Sequence, residues 1–512
     1  MKRIDLILTA AALLSPAAMM ADVSKAYVSD LGNGKYQNPV INADYSDPDV
    51  IRVGNDYWMT SSSFANLPAL QILHSNDLVN WTLAGAVADT YPAPEFDGVS
   101  HGNGVWAPAI RYHNGTYYVM YGDPDRGIYV AKTDNPRGRW SDLELIYPAV
   151  GVIDPCPFWD EDGKAYIAHG YAGSRAGVKS IIGMIEMKPD ASGVIGKDRV
   201  IYDGHRENET IEGAKMYKRG DWYYIFSPAG GVATGWQVVM RSKNPWGPYE
   251  WRNVIEQGDT DINGPHQGAW IDTPDGKEDW FIHFQDKGPY GRVVNLEPMK
   301  WNEDGWPVIG VDKDGDGRGI PVRTYRKPNV GKTYPVATPA DSDEFDSNTL
   351  GLQWQWNGNP QPLWYFCDAD SSTLRLFSHH TPGAATLYDM PNVLMQKFPN
   401  ENFTATAKVE FFPRMKNGKR ETGEYGGLAV MGYNFATLQL ESRSDGVYLV
   451  QTDCVGANKG NTDVKQNAEL KLTGDGPIWL QAVVKMTGAK KPTQKSDYKC
   501  QVTFRYSLDG KK

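Results

Sequence analysis

Five segments spread over two thirds of this chain are written to one plan, and that repetition restricts the fold more than any other feature. Each opens on a conspicuous residue, runs through a short apolar strand, turns on Asn, Asp or Gly, and enters a second strand rich in Tyr and Trp. The openings are Asp47-Pro48-Asp49, Trp106-Ala107-Pro108, Asp154-Pro155-Cys156, Glu212-Gly213-Ala214 and His266-Gln267-Gly268. Their turns are Gly54-Asn55-Asp56, Asn114-Gly115, Asp162-Gly163, Gly220-Asp221 and Asp275-Gly276, leading into Tyr57-Trp58, Tyr117-Tyr118, Tyr166-Ile167, Trp222-Tyr223 and Trp280-Phe281. Long helical periodicity is absent, so the chain reads as all-β. A period of roughly 50 to 60 residues is that of propeller blades. Five repeats predict a five-bladed β-propeller over residues 36–325, in which the first strand of each blade lines a central channel and the opening residues gather at one mouth.

A channel without a task would be packed with small or apolar side chains, and either Asp-Pro pair alone could be a turn former. Asp, Trp, Asp, Glu and His at corresponding places of five repeats ask for a chemical reason. Two carboxyl groups facing one pocket are the equipment of glycoside hydrolysis: one protonates the leaving oxygen, the other handles the incoming nucleophile. A third nearby carboxylate raises at least one pKa by repulsion and keeps that group protonated. Glu212, with the longer reach and with Gly213 leaving room for substrate, is expected to be the general acid. Asp47 is expected to be the general base, and Asp154 to orient Glu212 and keep its pKa high. Composition agrees with a sugar partner. The net charge of -10 would repel nucleic acid and anionic lipid. Aromatic residues make up 12% of the chain, with 17 Trp and 28 Tyr, and such flat faces suit sugar rings, although strands use aromatics for packing as well.

The stretch Asn38-Pro39-Val40 to Asp49, with Trp106-Ala107-Pro108, Ile153-Asp154-Pro155, Ile211-Glu212-Gly213 and Trp301-Asn302-Glu303-Asp304-Gly305-Trp306-Pro307, resembles glycoside hydrolase family 43 over roughly residues 36–325. The resemblance implies an inverting hydrolase with Asp47 as base, Asp154 as pKa modulator and Glu212 as acid. It also implies Phe64 and Trp106 as walls of the terminal-sugar subsite, Arg292 as a hydroxyl contact, and His266 as part of a buried, often calcium-linked centre. The chemistry itself would need no cofactor; the expected substrates are plant cell-wall oligosaccharides or polysaccharides. Terminal β-D-xylose and α-L-arabinofuranose both remain open. So do endo-arabinanase and exo-galactanase activity, because Ala65-Asn66-Leu67-Pro68 lacks a Trp that some xylosidases carry there. A non-catalytic sugar-binding propeller would keep Phe64 and Trp106 but need no acid pair. A retaining sucrose- or fructan-type enzyme would need Asn-Asp-Pro-Asn and Glu-Cys motifs where this chain has Ser46-Asp47-Pro48-Asp49 and Glu212-Gly213.

Beyond residue 325 the character changes. Residues 326–339 read as a proline-punctuated linker and 340–512 as a β-sandwich, with long strands such as Phe403 to Phe412 and Ile478 to Met486. That region is similar to the concanavalin-like sandwich of β-xylosidase-type members. It ends in Ser507-Leu508-Asp509-Gly510-Lys511-Lys512, a hairpin turn without its returning strand, so an unpaired sheet edge is expected. At the other end, Lys2 and Arg3, the apolar run Leu6 to Leu14, and small residues around Ala17, Ala21 and Ala26 have the layout of a signal peptide over residues 1–26, cleaved after Ala21 or Ala26. Export to the periplasm or beyond is the expectation. Cys454 and Cys500 could pair. Asp312, Asp314 and Asp316 resemble the opening of a calcium loop that lacks its distal Glu, since Arg323 stands at the twelfth position.

Overall fold

In the computed structural model, residues 23–474 and 476–511 are described. Most of the expected signal peptide, residues 1–22, lies outside them. Among the described residues no helix is long and apolar enough to cross a membrane.

The repeats fold into five consecutive four-stranded antiparallel meanders. Blade one comprises Asp49–Val53, Asp56–Thr60, Ala69–Ser75 and Trp81–Ala88; blade two, Trp106–His113, Thr116–Asp123, Gly127–Thr133 and Glu144–Pro148. Blade three comprises Val152–Trp159, Ala165–Tyr171, Ile181–Met187 and Val194–Asp203. Blade four comprises Lys215–Arg219, Trp222–Ala229, Trp236–Ser242 and Glu250–Ile255; blade five, His266–Asp272, Asp279–Asp286, Arg292–Trp301 and Pro307–Ile309. The first strands of blades one to four neighbour one another in sequence order, that of blade five lies against the second strand of blade four and returns against the first strand of blade one, so the ring closes. A middle strand is covered on both faces by adjacent blades, which is why Thr116–Asp123 and Ile181–Met187 are almost wholly buried and read as apolar runs rather than alternating ones. The outermost Val194–Asp203 is largely exposed.

Aromatic side chains fill the wedge between blades. Trp58, Tyr117, Tyr121 and Trp140 share one core between blades one and two, and Trp81 and Trp280 share another where blade five meets blade one. Truncating such a residue costs about 3–5 kcal/mol. Closure is reinforced by chain from outside the repeats: Lys35–Gln37 pairs antiparallel with Thr324–Arg326, and Ile41 bridges Val294 of blade five. The expected linker is not a free tether. Lys327 makes ion pairs with Asp30 and Asp77, Ala337 N donates to Asn80 Oδ1 at 3.0 Å, and Ser24 N donates to Thr338 Oγ1 at 2.8 Å. Ser24 and Ala26, within the expected signal segment, are thus built into the folded body; Asn400 Nδ2 also donates to Ala26 O at 2.7 Å.

The C-terminal region is a sandwich. Tyr425–Met431, Phe435–Arg443, Gly446–Cys454 and Lys465–Lys471 form one sheet, and Phe403–Val409, Ile478–Met486 and Cys500–Ser507 the other. Leu438, Leu440, Leu449, Ile478 and Leu480 pack between them. Ile478–Met486 alternates between buried and partly exposed residues, the period-two pattern of a strand with one face on a core. Among the described residues Cys500–Ser507 pairs with Ile478–Met486 alone. The opposite sheet ends on Lys465–Lys471, exposed throughout and carrying three charged side chains that discourage edge pairing. Cys454 and Cys500 do not pair; all four cysteines are free thiols.

Candidate active site

The opening residues do converge, but not in the register the sequence suggested. At or just before the first strand of each blade stands a residue with left-handed backbone: Asp47 at φ 54°, Ala107 at 35°, Asp154 at 56°, Gly213 at 63° and Gln267 at 38°. Pairing breaks at this point, between Trp106 and Ala109, Ile153 and Cys156, and His266 and Gly268, as expected of a bulge with one extra residue. Asp154 occupies the bulge itself, and Asp47 the corresponding place just before the first strand of blade one. Trp106, Glu212 and His266 stand one residue earlier, matching Ser46 and Ile153. The five openings are therefore not strictly equivalent, because the proline spacing hides the bulge. The consequence is chemical: bulge and pre-bulge side chains leave the strand in different directions, so the two aspartates and Glu212 approach the same space from different sides.

Asp47 and Asp154 are buried, 6% and 4% exposed, whereas the Glu212 side chain is 27% exposed, the most open of the three acids. Ser46 Oγ and Ser62 Oγ each donate to Asp47 Oδ2 at 2.6 Å, while Asp47 Oδ1 has a longer 3.4 Å contact with Arg292 Nη1 and keeps capacity to accept from water. Arg292 also donates to Ser46 Oγ at 2.8 Å, and its backbone N donates to Asp44 Oδ1 at 2.8 Å. Burial disfavours the Arg292 charge, but Asp47, Asp286 and Asp44 outweigh it and raise its pKa.

Asp154 accepts from Gly213 N at 2.8 Å, which ties it to the residue after Glu212. A methyl group on Gly170 would touch Asp154 Oδ2 and Glu212 Cβ at 3.6 Å each, a measure of how closely the two acids share space. Burial, reinforced by the Glu212 and Asp47 charges, pushes the Asp154 carboxyl well above the usual carboxylate range, and the Gly213 hydrogen bond and nearby Lys215 only partly counter it. The carboxyl raised by crowding is that of Asp154. Beyond its left-handed backbone, a Cβ at Gly213 would lie 2.7 Å from Pro228 Cδ and 2.9 Å from Gln267 Cδ, so the glycine lets the strand pack.

His266 is fully buried, with Nε2 3.1 Å from Glu212 Oε1. An Nε2–H tautomer would donate there and leave the other oxygen of Glu212 free to carry a proton. Its Nδ1 is buried without a hydrogen-bond partner. One imidazole nitrogen and one carboxylate fall well short of the six to eight oxygens calcium takes, and the described residues hold no group of three or more His, Cys, Asp or Glu that could cage an ion. The protein groups around His266 therefore do not fit an all-protein calcium site. Asp312, Asp314 and Asp316 do not converge either. Asp312 accepts from Gly315 N and Gly317 N at 2.7 and 2.9 Å, and Asp316 is paired with Arg318 at 2.7 Å, so this is a self-capping acidic turn.

Phe64 and Trp106 are brought side by side by paired backbone bonds between Phe64 and Val105, each 3.1 Å, and both remain partly exposed. Trp106 Nε1 donates to Gly102 O at 2.7 Å, and the Arg175 guanidinium lies 5.4 Å from its ring. Arg175 is itself held by Asn103 and Asp125 at 2.9 and 3.0 Å. Sequence reasoning missed Ser62, Arg175 and Tyr91, whose hydroxyl donates to Phe64 O. The Ser61-Ser62-Ser63 run after the second strand of blade one was the only signal for them.

The sequence profile of glycosyl hydrolases family 43 matches residues 36–307, more than half of the chain and all three carboxylates. The chain belongs to glycosyl hydrolases family 43. A second profile, the beta xylosidase C-terminal concanavalin A-like domain, matches residues 342–512. A Xylanibacter ruminicola protein carrying a provisional beta-xylosidase name is 41% identical over 425 residues, 82% of this chain and 75% of that one. A non-reducing end alpha-L-arabinofuranosidase of Bacteroides ovatus is 32% identical over 78% of this chain and 74% of its own. The crystal structure of a family 43 protein from Bacillus licheniformis superposes with a TM-score of 0.76 at 26% identity, covering 93% of this chain and 89% of that one. As a family 43 member the chain is a glycoside hydrolase, and its chemistry needs no cofactor.

Proposed function

We propose that this hydrolase removes single terminal β-D-xylosyl or α-L-arabinofuranosyl residues from plant cell-wall glycans, with inversion. The observation that carries the reading is the unequal setting of Glu212 and Asp47. Glu212 is the open acid, braced at one oxygen by His266, and delivers its proton to the glycosidic oxygen from the other. Asp47 is fixed at Oδ2 by Ser46 and Ser62 and takes the proton of an incoming water at Oδ1 as that water attacks the anomeric carbon. The leaving sugar departs as the alcohol, and the released sugar has the opposite anomeric configuration. Asp154 remains the grip on the Glu212 strand through Gly213 N. Phe64 and Trp106 would pack on the terminal ring, and Arg292 would meet a hydroxyl. The two related enzymes support an exo-acting preference, since one is named for the non-reducing end.

We further infer export, from the basic and apolar residues 2–14. The packing of Ser24 and Ala26 favours processing after Ala21 over processing after Ala26.

Hydrolysis of chromogenic aryl β-D-xylosides and α-L-arabinofuranosides tests the reading. Wild type should release the chromophore from at least one. Glu212→Gln and Asp47→Asn should each lose about 10²–10⁴-fold in turnover while keeping the wild-type fold by circular dichroism. Activity near wild type in either variant would sink the assignment.

A further inference from the structure

We propose that Glu401, in the C-terminal region, is a positioning residue for the catalytic base, acting through a buried latch with Lys287 and Asn42. The inference rests on the function proposed for Asp47 and Arg292, and it adds a part of the catalytic apparatus that lies outside the propeller.

Lys287 begins the turn that delivers Arg292 from blade five, and Asn42 lies five residues before Asp47. Both the Lys287 ammonium and the Glu401 carboxylate are largely withdrawn from solvent, with side chains 4% and 18% exposed, and they form a short ion pair. Lys287 Nζ also donates to Asn42 Oδ1 at 3.1 Å, and Asn42 Nδ2 donates to Glu401 Oε2 at 2.8 Å and to Asn400 Oδ1 at 2.9 Å. Glu401 therefore holds both propeller segments at once, one by each oxygen.

Those segments are stitched together on the way to the site. Lys287 N donates to Gly291 O at 2.9 Å, closing the turn, Arg292 N donates to Asp44 Oδ1 at 2.8 Å, and Tyr45 N donates to Arg292 O at 3.0 Å. Even a Cβ at Gly291 would meet Asp44 at 2.4 Å, so the two backbones have no slack between them. From Asp44 it is three residues to Asp47, and the Arg292 side chain reaches Ser46 and Asp47 directly. A displacement at Glu401 has only these tight links through which to reach the base and the cation beside it. Burial makes the linkage stiff: a carboxylate and an ammonium out of water lose much more by separating than an exposed pair does. The C-terminal region on this account holds the reacting geometry, although it carries none of the three acids.

The test compares wild type, Glu401→Gln, Arg292→Lys and the double variant in kcat/KM on the aryl glycosides, together with hydrogen–deuterium exchange over residues 42–47 and 287–292. Glu401→Gln should lower kcat/KM about tenfold or more, because small misplacements of reacting groups are costly, and should speed exchange in those two stretches but not in blades two to four. The double variant should lie within about twofold of the weaker single variant, as expected of residues acting through one element. Fully multiplicative effects, or exchange unchanged at 42–47, would overturn the proposal. Should Glu401→Gln fold poorly, Lys287→Met with Glu401→Leu replaces the pair by apolar contact and still removes the grip on Asn42, so the same readouts apply. A wild type inactive on every glycoside would refute the proposed function, and the exchange result alone would then decide whether the latch exists.

Discussion

At the scale of single residues, the site is organised by what each carboxylate is allowed to do. Asp154 shows this best. Its carboxyl is raised by burial and then by the charges of Glu212 and Asp47. Asp154→Asn removes one of the ionisations that three crowded carboxyls share, so the basic limb of the kcat/KM profile should change position. A pH–rate profile on an aryl glycoside checks this; a basic limb that stays put would contradict the assigned role. The same shift bears on stability. An acid whose folded pKa lies above its unfolded value stabilises the fold fully below the unfolded pKa and loses that contribution as pH rises through the folded one. Asp154→Asn should therefore melt higher than wild type at mildly alkaline pH and show no such advantage in acid, as differential scanning fluorimetry across pH would read. The motifs made the three acids legible in sequence. That Asp154 is raised was not, because its burial and the charges of Glu212, Asp47 and Lys215 around it are supplied only by the folded ring.

At the scale of elements, the working unit is the bulged first strand of each blade. The bulge turns two aspartates and one glutamate from three blades toward a common space, and it demands left-handed backbone where only glycine is unstrained. Gly213→Ala should thus destabilise the protein by about 1–3 kcal/mol, from φ strain and from contact with Pro228 and Gln267. It should also lower kcat, because the Gly213 N bond to Asp154 would shift. Denaturant unfolding and steady-state kinetics read the two effects, and a variant as stable and active as wild type would show the bulge to be dispensable. The sequence revealed the repeat but not its register: Asp47-Pro48 and Trp106-Ala107-Pro108 look aligned on their first residues until strand pairing counts the extra residue. In the Asp312 to Asp316 turn, too, local pattern hid the pairing, since Asp312 accepts from Gly315 N and Gly317 N.

At the scale of the whole molecule, the sandwich and the propeller form one working body. Apart from the Glu401 latch, Asn359 clasps the loop behind Phe64: its Oδ1 accepts from Tyr91 N at 2.8 Å, and its Nδ2 donates to Tyr91 O at 3.1 Å and to Asp97 Oδ1 at 2.8 Å. Tyr91 in turn holds Phe64. Asn359→Ala should loosen this wall and raise KM a few-fold, about 1 kcal/mol of binding, with kcat little changed. Kinetics on the preferred aryl glycoside would settle it, and a fall in kcat at constant KM would reject a role confined to the wall.

The sequence by itself determined the all-β class, the repeat and hence the ring, the change of architecture past residue 325, and the three acids, because strand period, turn chemistry and motif spacing are local properties of a chain. Only the tertiary structure decided the bulge register, the raised Asp154, the self-capped acidic turn, and the grip of Glu401 and Asn359 on the site. Those depend on groups hundreds of residues apart meeting in a place from which water has been removed, and no local pattern encodes that encounter.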